Sequence, residues 1–170
     1  MQILIDGYNL IGIRWGLESA PLEILRERLL KELAEYKRIK KCNIEVVFDG
    51  ENAGWISEGR DRIMGIDIYY SRDGEKADEL ICRMVSKGTK NYILVTSDNE
   101  IISRCERYGA LSVKSEEFIQ KMKEAAMYDG FWTLDDEEDE VNIRKMTKKK
   151  GNPKRLSKKE RQRRQRIKKI

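Results

Sequence analysis

Short runs of apolar and β-branched residues alternate with longer stretches in which apolar residues recur at helical spacing. The runs predict strands at residues 2–5, 44–48, 66–70, 92–96 and 110–113. The helical spacing predicts helices at about residues 21–39, 76–87, 99–108 and from 115 onward, and loops at 7–20 and 51–62. The leucines of the first helix are expected to face the core. Alternating strands and helices are typical of an α/β fold with a mainly parallel central sheet flanked by helices.

Charge divides the chain into three parts. Residues 1–132 form the predicted domain, residues 133–146 an acidic linker, and residues 147–170 a basic C-terminal tail that is disordered or helical. Residues 144–170 hold 15 of the 35 Lys and Arg residues and one acid, a net charge of +14. The remaining residues, 1–143, carry a net charge of −9. A basic tail on an acidic domain indicates a polyanionic partner.

Composition removes several classes of chemistry. The chain has no histidine, which excludes Ser-His-Asp and Cys-His mechanisms and the commonest ligand for zinc. Its three cysteines form no C-x-x-C pair, which favours a reducing cytoplasm. The first apolar run ends at Asp6, so no signal peptide is predicted, and no run of about 20 apolar residues predicts a membrane partner.

Three predicted strands end in or just before an aspartate, namely Asp6, Asp49 and Asp98. Parallel strands end at one edge of a sheet, so these carboxylates are expected to meet. Glu75, Asp78 and Glu79 share one face near the start of a predicted helix, and they add another acid to the cluster if that helix begins at the same edge. Each aspartate alone is equally typical of a turn. Together they favour a site for a hard cation, Mg²⁺ or Mn²⁺, because clustered carboxylates repel unless a cation neutralises them.

The segments IDGYNLI, VVFDG, EKADELI and VTSDNEI resemble the YacP-like branch of the NYN domains, which are PIN-like nucleases. The resemblance covers about residues 2–128. It implies a PIN-like fold and a metal-dependent endoribonuclease that hydrolyses RNA phosphodiester bonds. The RNA expected from the resemblance is mRNA in association with the ribosome.

The resemblance also assigns roles to residues. Asp6, Asp78 and Asp98 match the acids that hold the metal, and Asn9 matches the asparagine that assists beside the first acid. No residue matches the fourth acid of PIN domains unambiguously, so sites with one metal and with two metals both stay open. Supporting positions around the metal site are expected at Asp49, Glu75, Glu79, Ser97, Asn99 and, more weakly, Glu100.

Candidate RNA-binding residues lie after the first strand and in the tail. They are Tyr8, Arg14, Trp15, Lys148, Lys149, Lys150, Lys158, Lys159, Arg163 and Arg164. Because the tail alone could bind RNA without sequence preference, a non-catalytic RNA- or ribosome-binding protein is the alternative function. Haloacid-dehalogenase-type enzymes and receiver domains need a second acid where Gly7 or Tyr8 stands, and no Rossmann or P-loop glycine motif is present. The oligomeric state cannot be read from the sequence.

Overall fold

A computed structural model describes residues 2–50, 59–72, 74–88, 91–128 and 165. Strands and helices alternate through these residues, as predicted. The elements are β1 (Gln2–Asp6), α1 (Gly7–Arg14), α2 (Leu22–Lys40), β2 (Asn43–Phe48), β3 (Gly59–Ile63), β4 (Ile66–Tyr70), α3 (Ala77–Ser86), β5 (Tyr92–Val95), α4 (Asn99–Glu106), β6 (Leu111–Val113) and α5 (Ser115–Tyr128).

The strands form one six-stranded sheet in the order β3-β4-β2-β1-β5-β6. All neighbouring pairs are parallel except β3 and β4. The predicted α/β fold with a mainly parallel sheet is therefore confirmed. Because β2, β1 and β5 are adjacent, the residues that follow their carboxyl ends lie along one edge of the sheet, called the acidic rim below.

Each face of the sheet is covered by helices over its own apolar core. On one face α1, α2 and α5 pack against the strands, and the leucine stripe of α2 is buried there, as predicted (Leu25, Leu29, Leu30 and Leu33). On the other face α3 and α4 pack over Leu4, Val47 and Leu94. Burial on both faces explains why β1 and β5 read as continuous apolar runs, and β2 as one interrupted only by the buried Glu45, rather than as alternating patterns.

The predicted loop after β1 is wrong over residues 7–14, which form helix α1. Asp6 is the N-cap of this helix, because its carboxylate accepts a hydrogen bond from the backbone N–H of Asn9. Glycine is needed at position 7, since a Cβ there would lie 2.3 Å from the ring of Phe48. Strand and helix are thus joined with no loop between them, and Asp6 is fixed at the junction.

The predicted loop over residues 51–62 is wrong at its end, where residues 59–62 belong to β3. This strand pairs with β4 through a tight turn in which Met64 and Gly65 have positive φ values of 51° and 76°. Four of its five residues are exposed, and three of them are charged. Charged edge strands lack the apolar pattern from which strands are recognised, although they protect a sheet against further pairing.

Several sequence predictions lie outside the described residues. These are the end of the domain after residue 128, the acidic linker, and the basic tail except for position 165. All the RNA-binding residues predicted in the tail are among them. Among the described helices, none combines the length and the apolar character needed to cross a bilayer.

Candidate active site at the acidic rim

Asp6 is the centre of the acidic rim. Only 7% of its surface is exposed. One carboxylate oxygen accepts the Asn9 backbone N–H at 3.2 Å, and the other accepts the Thr96 hydroxyl at 3.1 Å. The pKa of Asp6 is raised to about 6, chiefly by burial and to a smaller extent by the charges of Asp78 and Asp98, against the lowering effect of these two hydrogen bonds. Within the described residues, Asp6 is therefore a buried acid whose charge is stabilised by neutral donors only.

Asp78 and Asp98 reach the rim from the beginnings of two helices. Asp78 is half-buried in the first turn of α3, and its pKa is raised by burial and then by the charge of Asp98. Asp98 is exposed and is the N-cap of α4, accepting the backbone N–H groups of Glu100 at 2.7 Å and Ile101 at 3.3 Å. The structure thus brings together the three acids singled out in the sequence closely enough for each to act on the charge of another.

The three acids do not form a closed metal cage. In the described part of the chain, no group of three or more Asp, Glu or Cys side chains is close enough to hold one ion as it stands. The donor set nevertheless fits a hard divalent cation, because it consists of carboxylate oxygens without thiolate or imidazole. Water completes the coordination of Mg²⁺ in most protein sites, so the cation needs only one or two carboxylates directly.

Asn9 links three elements beside Asp6. Its side-chain carbonyl accepts the Ser97 backbone N–H at 2.9 Å and the Ser115 hydroxyl at 2.7 Å. Helix α1 is thereby tied to the end of β5 and to the start of α5. The oxygen of the Asn9 amide is already used within the protein, and its predicted role beside the metal stays a prediction.

Glu116 is a rim residue that the sequence analysis did not select. It stands in the first turn of α5, directly after β6, and its carboxylate accepts the Ser97 hydroxyl at 2.6 Å. That hydrogen bond is the main reason why the pKa of Glu116 is lowered. An acid that follows a strand end was the signal used for Asp6 and Asp98. Here β6 is only three residues long, so the strand that would mark Glu116 in the same way gives a weak signal in the sequence.

The supporting residues divide into two groups. Ser97 and Asn99 lie at the rim, where Lys114 donates to the Ser97 carbonyl at 3.0 Å and to the Asn99 side chain at 2.6 Å. Asp49 also follows a rim strand and accepts the Ser71 hydroxyl at 3.3 Å. Glu75, by contrast, is buried and forms ion pairs with Arg72 and Arg83 of its own segment.

The aromatic and basic residues of α1, together with Trp15, which follows it, make internal contacts. Tyr8 packs against Phe48 with ring centroids 5.1 Å apart, and its hydroxyl accepts a hydrogen bond from Arg26. Arg14 forms an ion pair with Glu32 at 2.9 Å. Trp15 lies under the guanidinium groups of Arg14 and Arg28, at 5.1 and 4.7 Å from the ring centroid. These contacts order the residues, and their predicted binding of RNA stays a prediction.

Comparison with known proteins identifies the fold. Two crystal structures of Rae1 (YacP) from Bacillus subtilis resemble the chain, one of them a tryptophan-to-leucine mutant. The mutant is 24% identical over 75% of this chain and 77% of its own, with a TM-score of 0.61. The other is 23% identical over 76% and 78%, with a TM-score of 0.62. No curated protein sequence matches the chain.

The family model of the YacP-like NYN domain matches residues 3–169. This range includes every rim residue described above. The predicted PIN-like fold agrees with the likeness to the two solved structures. The chain therefore belongs to the YacP-like NYN domain family, a family of PIN-like nucleases.

Proposed function

We propose that the chain is a divalent-metal-dependent endoribonuclease that hydrolyses RNA phosphodiester bonds at the acidic rim. The observation that carries the proposal is the surroundings of Asp6. This acid is buried next to Asp78 and Asp98, and among the described residues it has no Lys or Arg partner. A buried carboxylate without a counterion needs a cation or a proton to be stable.

Asp6, Asp78 and Asp98 would hold Mg²⁺ or Mn²⁺. Such a cation activates water at neutral pH and offsets the negative charge that develops on the phosphate. This makes a histidine base unnecessary, in a chain that has none.

The chain's own residues position this chemistry. Thr96 holds one oxygen of Asp6 and accepts the backbone N–H of Asp98 at 3.2 Å, so one hydroxyl fixes the spacing of two acids. Asn9 holds α1 against the segment after β5. Glu116, oriented by Ser97, adds a fourth carboxylate at the same rim and is the candidate ligand for a second cation.

RNA is the substrate class implied by the nuclease family, and mRNA on the ribosome is the substrate we propose. The net charge of +14 over residues 144–170 supports binding to an RNA backbone through counterion release. A cytoplasmic location is part of the proposal, because Cys42, Cys82 and Cys105 are all buried and free. The same charge supports the second candidate function, an RNA- or ribosome-binding protein that does not cut.

The test measures cleavage of labelled RNA, naked and on translating ribosomes, with Mg²⁺, Mn²⁺ or EDTA. Wild type is compared with Asp6→Asn, and with Asp61→Asn on the exposed strand β3 as a matched control. We expect cleavage only with the metals, unchanged in the control and about 10³-fold slower in Asp6→Asn.

Each other outcome has a definite meaning. Equal cutting by wild type and Asp6→Asn would place the activity elsewhere or in a contaminant. Tight binding of RNA or ribosomes without cutting under any condition would support the non-catalytic function instead.

A further inference from the structure

A second polar feature lies next to the acidic rim, on the face of the sheet covered by α3 and α4. It is a groove of about 330 Å³ lined by α3 and by α4 with the turn that follows it. This volume is within the range of ligand-binding clefts. The groove is called the α3–α4 groove below, and its lining includes Glu79, Arg83, Arg104, Arg107 and Tyr108.

The lining is rich in arginine, and much of that charge is available. Arg83 is occupied by Glu75. Arg104 and Arg107, by contrast, form no side-chain hydrogen bond or ion pair with any other described residue. Tyr108 is 59% exposed beside them. Two available guanidinium groups next to an exposed aromatic ring are suited to a single-stranded nucleic acid, whose phosphates take the charge and whose bases stack on the ring.

The groove leads directly from the rim. Asp78 lies in the first turn of α3, and Asp98 caps α4, so both helices begin at the rim and run away from it. The pKa of Asp78 is raised chiefly by burial, and Arg104 acts on it in the opposite direction, which places the two groups within electrostatic reach. Nine residues separate Asp98 from Arg107, about 14 Å along a helix. This spans about four stacked nucleotides at roughly 3.4 Å each.

We propose that the α3–α4 groove binds the single-stranded RNA that flanks the scissile phosphate, with Arg104 and Arg107 on its phosphates and Tyr108 stacked on a base. This rests on the proposed nuclease function and gives it a substrate path. A strand held there enters the rim between Asp78 and Asp98. The groove therefore favours single-stranded over double-stranded RNA, because only unpaired bases expose a face to Tyr108.

The first test measures binding of fluorescein-labelled single-stranded RNA by anisotropy, across a series of salt concentrations. The full-length chain is used with Asp6→Asn, so that the RNA stays intact and the basic tail is present throughout. Arg104→Gln combined with Arg107→Gln should lower the salt slope by about 1.4, since each phosphate contact on a single strand contributes about 0.7. The control combines Arg60→Gln with Arg62→Gln, two exposed arginines on β3, the outermost strand of the sheet. It should leave the salt slope unchanged.

The second test addresses stacking. Tyr108→Ala should weaken RNA binding by about tenfold, while Tyr108→Phe should keep it because the ring is retained. Tyr128→Ala is the matched control, since Tyr128 is 93% exposed at the end of α5, on the other face of the sheet. Equal effects of the alanine variants at positions 108 and 128 would overturn the role of Tyr108.

Arginines near the end of a helix also stabilise it through the helix dipole. The melting temperature reports that structural role, and the salt slope reports contact with phosphates. If the arginine variants lower the melting temperature and leave the salt slope of the folded protein unchanged, the groove proposal is overturned. Cleavage is measured with the same groove substitutions in the chain that keeps Asp6. If wild type cuts RNA, these variants cut as it does, and their Asp6→Asn counterparts bind RNA as Asp6→Asn alone does, the groove fails and the nuclease stands. If the groove variants lose binding while wild type never cuts, the groove binds RNA, but the nuclease and the groove's link to a scissile phosphate fail.

Discussion

Two carboxylates of this protein are equally buried and have opposite surroundings. Glu75 and Asp6 each expose only 7% of their surface. The carboxylate of Glu75 receives the Arg83 guanidinium through three contacts of 2.9 to 3.2 Å, and Arg72 lies 3.4 Å away. Asp6 receives one backbone amide and one hydroxyl, and its charged neighbours Asp78 and Asp98 are acids. Among the residues that the structure describes, the fold thus supplies a cation to one buried acid and none to the other.

This difference separates an acid that holds the structure together from one that is prepared for a ligand. The Glu75–Arg83 pair joins the start of α3 to its last turn and needs nothing from solution. Asp6 carries an uncompensated charge at neutral pH, which a cation from solution would relieve. Strongly perturbed acids of this kind concentrate at functional sites. Removing the arginine that pairs with Glu75, and separately the charge of Asp6, is therefore the most direct way to test the comparison.

The largest change in stability is expected when Glu75 loses the guanidinium group of Arg83. Arg83→Met leaves the buried Glu75 carboxylate with Arg72 as its one cationic partner among the described residues, and the Arg72 side chain is 63% exposed. We expect the free energy of unfolding to fall by about 3 kcal/mol, the lower end for a broken buried pair, because Arg83 is itself 35% exposed. Urea unfolding at pH 7.5 measures this. Adding Glu75→Gln to Arg83→Met should recover most of the loss, and a double variant no more stable than the single one would contradict the pairing.

The free energy of unfolding is expected to rise, rather than fall, when the charge of Asp6 is removed. A rise in pKa from 3.8 to about 6 corresponds to about 3 kcal/mol of destabilisation at neutral pH. The loss of one good acceptor offsets about 1 kcal/mol of this. Asp6→Asn should therefore stabilise the metal-free protein by about 2 kcal/mol at pH 7.5, measured by urea unfolding in EDTA. Asp98→Asn is the control and should change stability by less than about 0.5 kcal/mol, because Asp98 is exposed and asparagine also caps helices.

The pH profile provides an independent check on the same variant. The folded protein binds a proton at Asp6 more tightly than the unfolded chain does. Stability contributed by that proton is complete below about pH 4 and is lost as the pH rises through about 6. The stability of Asp6→Asn should not show this decline as the pH rises. Parallel profiles of the two proteins between pH 4 and 7 would show that Asp6 does not titrate as described.

A smaller effect is expected from the cation itself. Mg²⁺ or Mn²⁺ at ten times its dissociation constant should stabilise wild type by about 1.4 kcal/mol at pH 7.5. Asp6→Asn should lose this gain, whereas Glu75→Gln should keep it, because Glu75 is occupied by Arg83. Thermal unfolding with and without the cation measures the difference. An equal gain in all three proteins would indicate binding elsewhere.

The sequence was sufficient for most of the fold because both faces of the sheet are buried. Runs that are apolar, apart from Glu45 in β2, revealed β1, β2 and β5, and leucine spacing revealed α2. The two errors have physical causes. Helix α1 begins directly after the last residue of β1, without the linking residues that usually mark a boundary. Strand β3 is charged and exposed, so its existence depends on pairing with β4 rather than on an apolar pattern.

The candidate site was predictable where chemistry follows a strand end and not where it depends on contacts distant in sequence. Asp6 and Asp98 follow apolar strands, so their meeting could be inferred. The Asn9 side chain binds Ser97 and Ser115, which are 88 and 106 residues away, and no local pattern reveals such partners. Glu75 was grouped with the site because it shares a helix face with Asp78 and Glu79. Its pairing with Arg83 could not be read from that spacing.

The smallest change in stability is expected at Thr96. Its neutral hydroxyl donates to Asp6, whereas an arginine donates to Glu75. Thr96 is fully buried, donates to Asp6 and accepts the backbone N–H of Asp98. Thr96→Val removes both hydrogen bonds and should destabilise the protein by about 1 kcal/mol. It should also raise the pKa of Asp6 further, since the hydroxyl favours the charged form. Thr96→Ser keeps the hydroxyl and should retain the wild-type midpoint when the Asp6 carboxyl is titrated by NMR. If the valine and serine variants share one midpoint, the hydroxyl does not stabilise the charge, and the backbone amide of Asn9 is the donor that does.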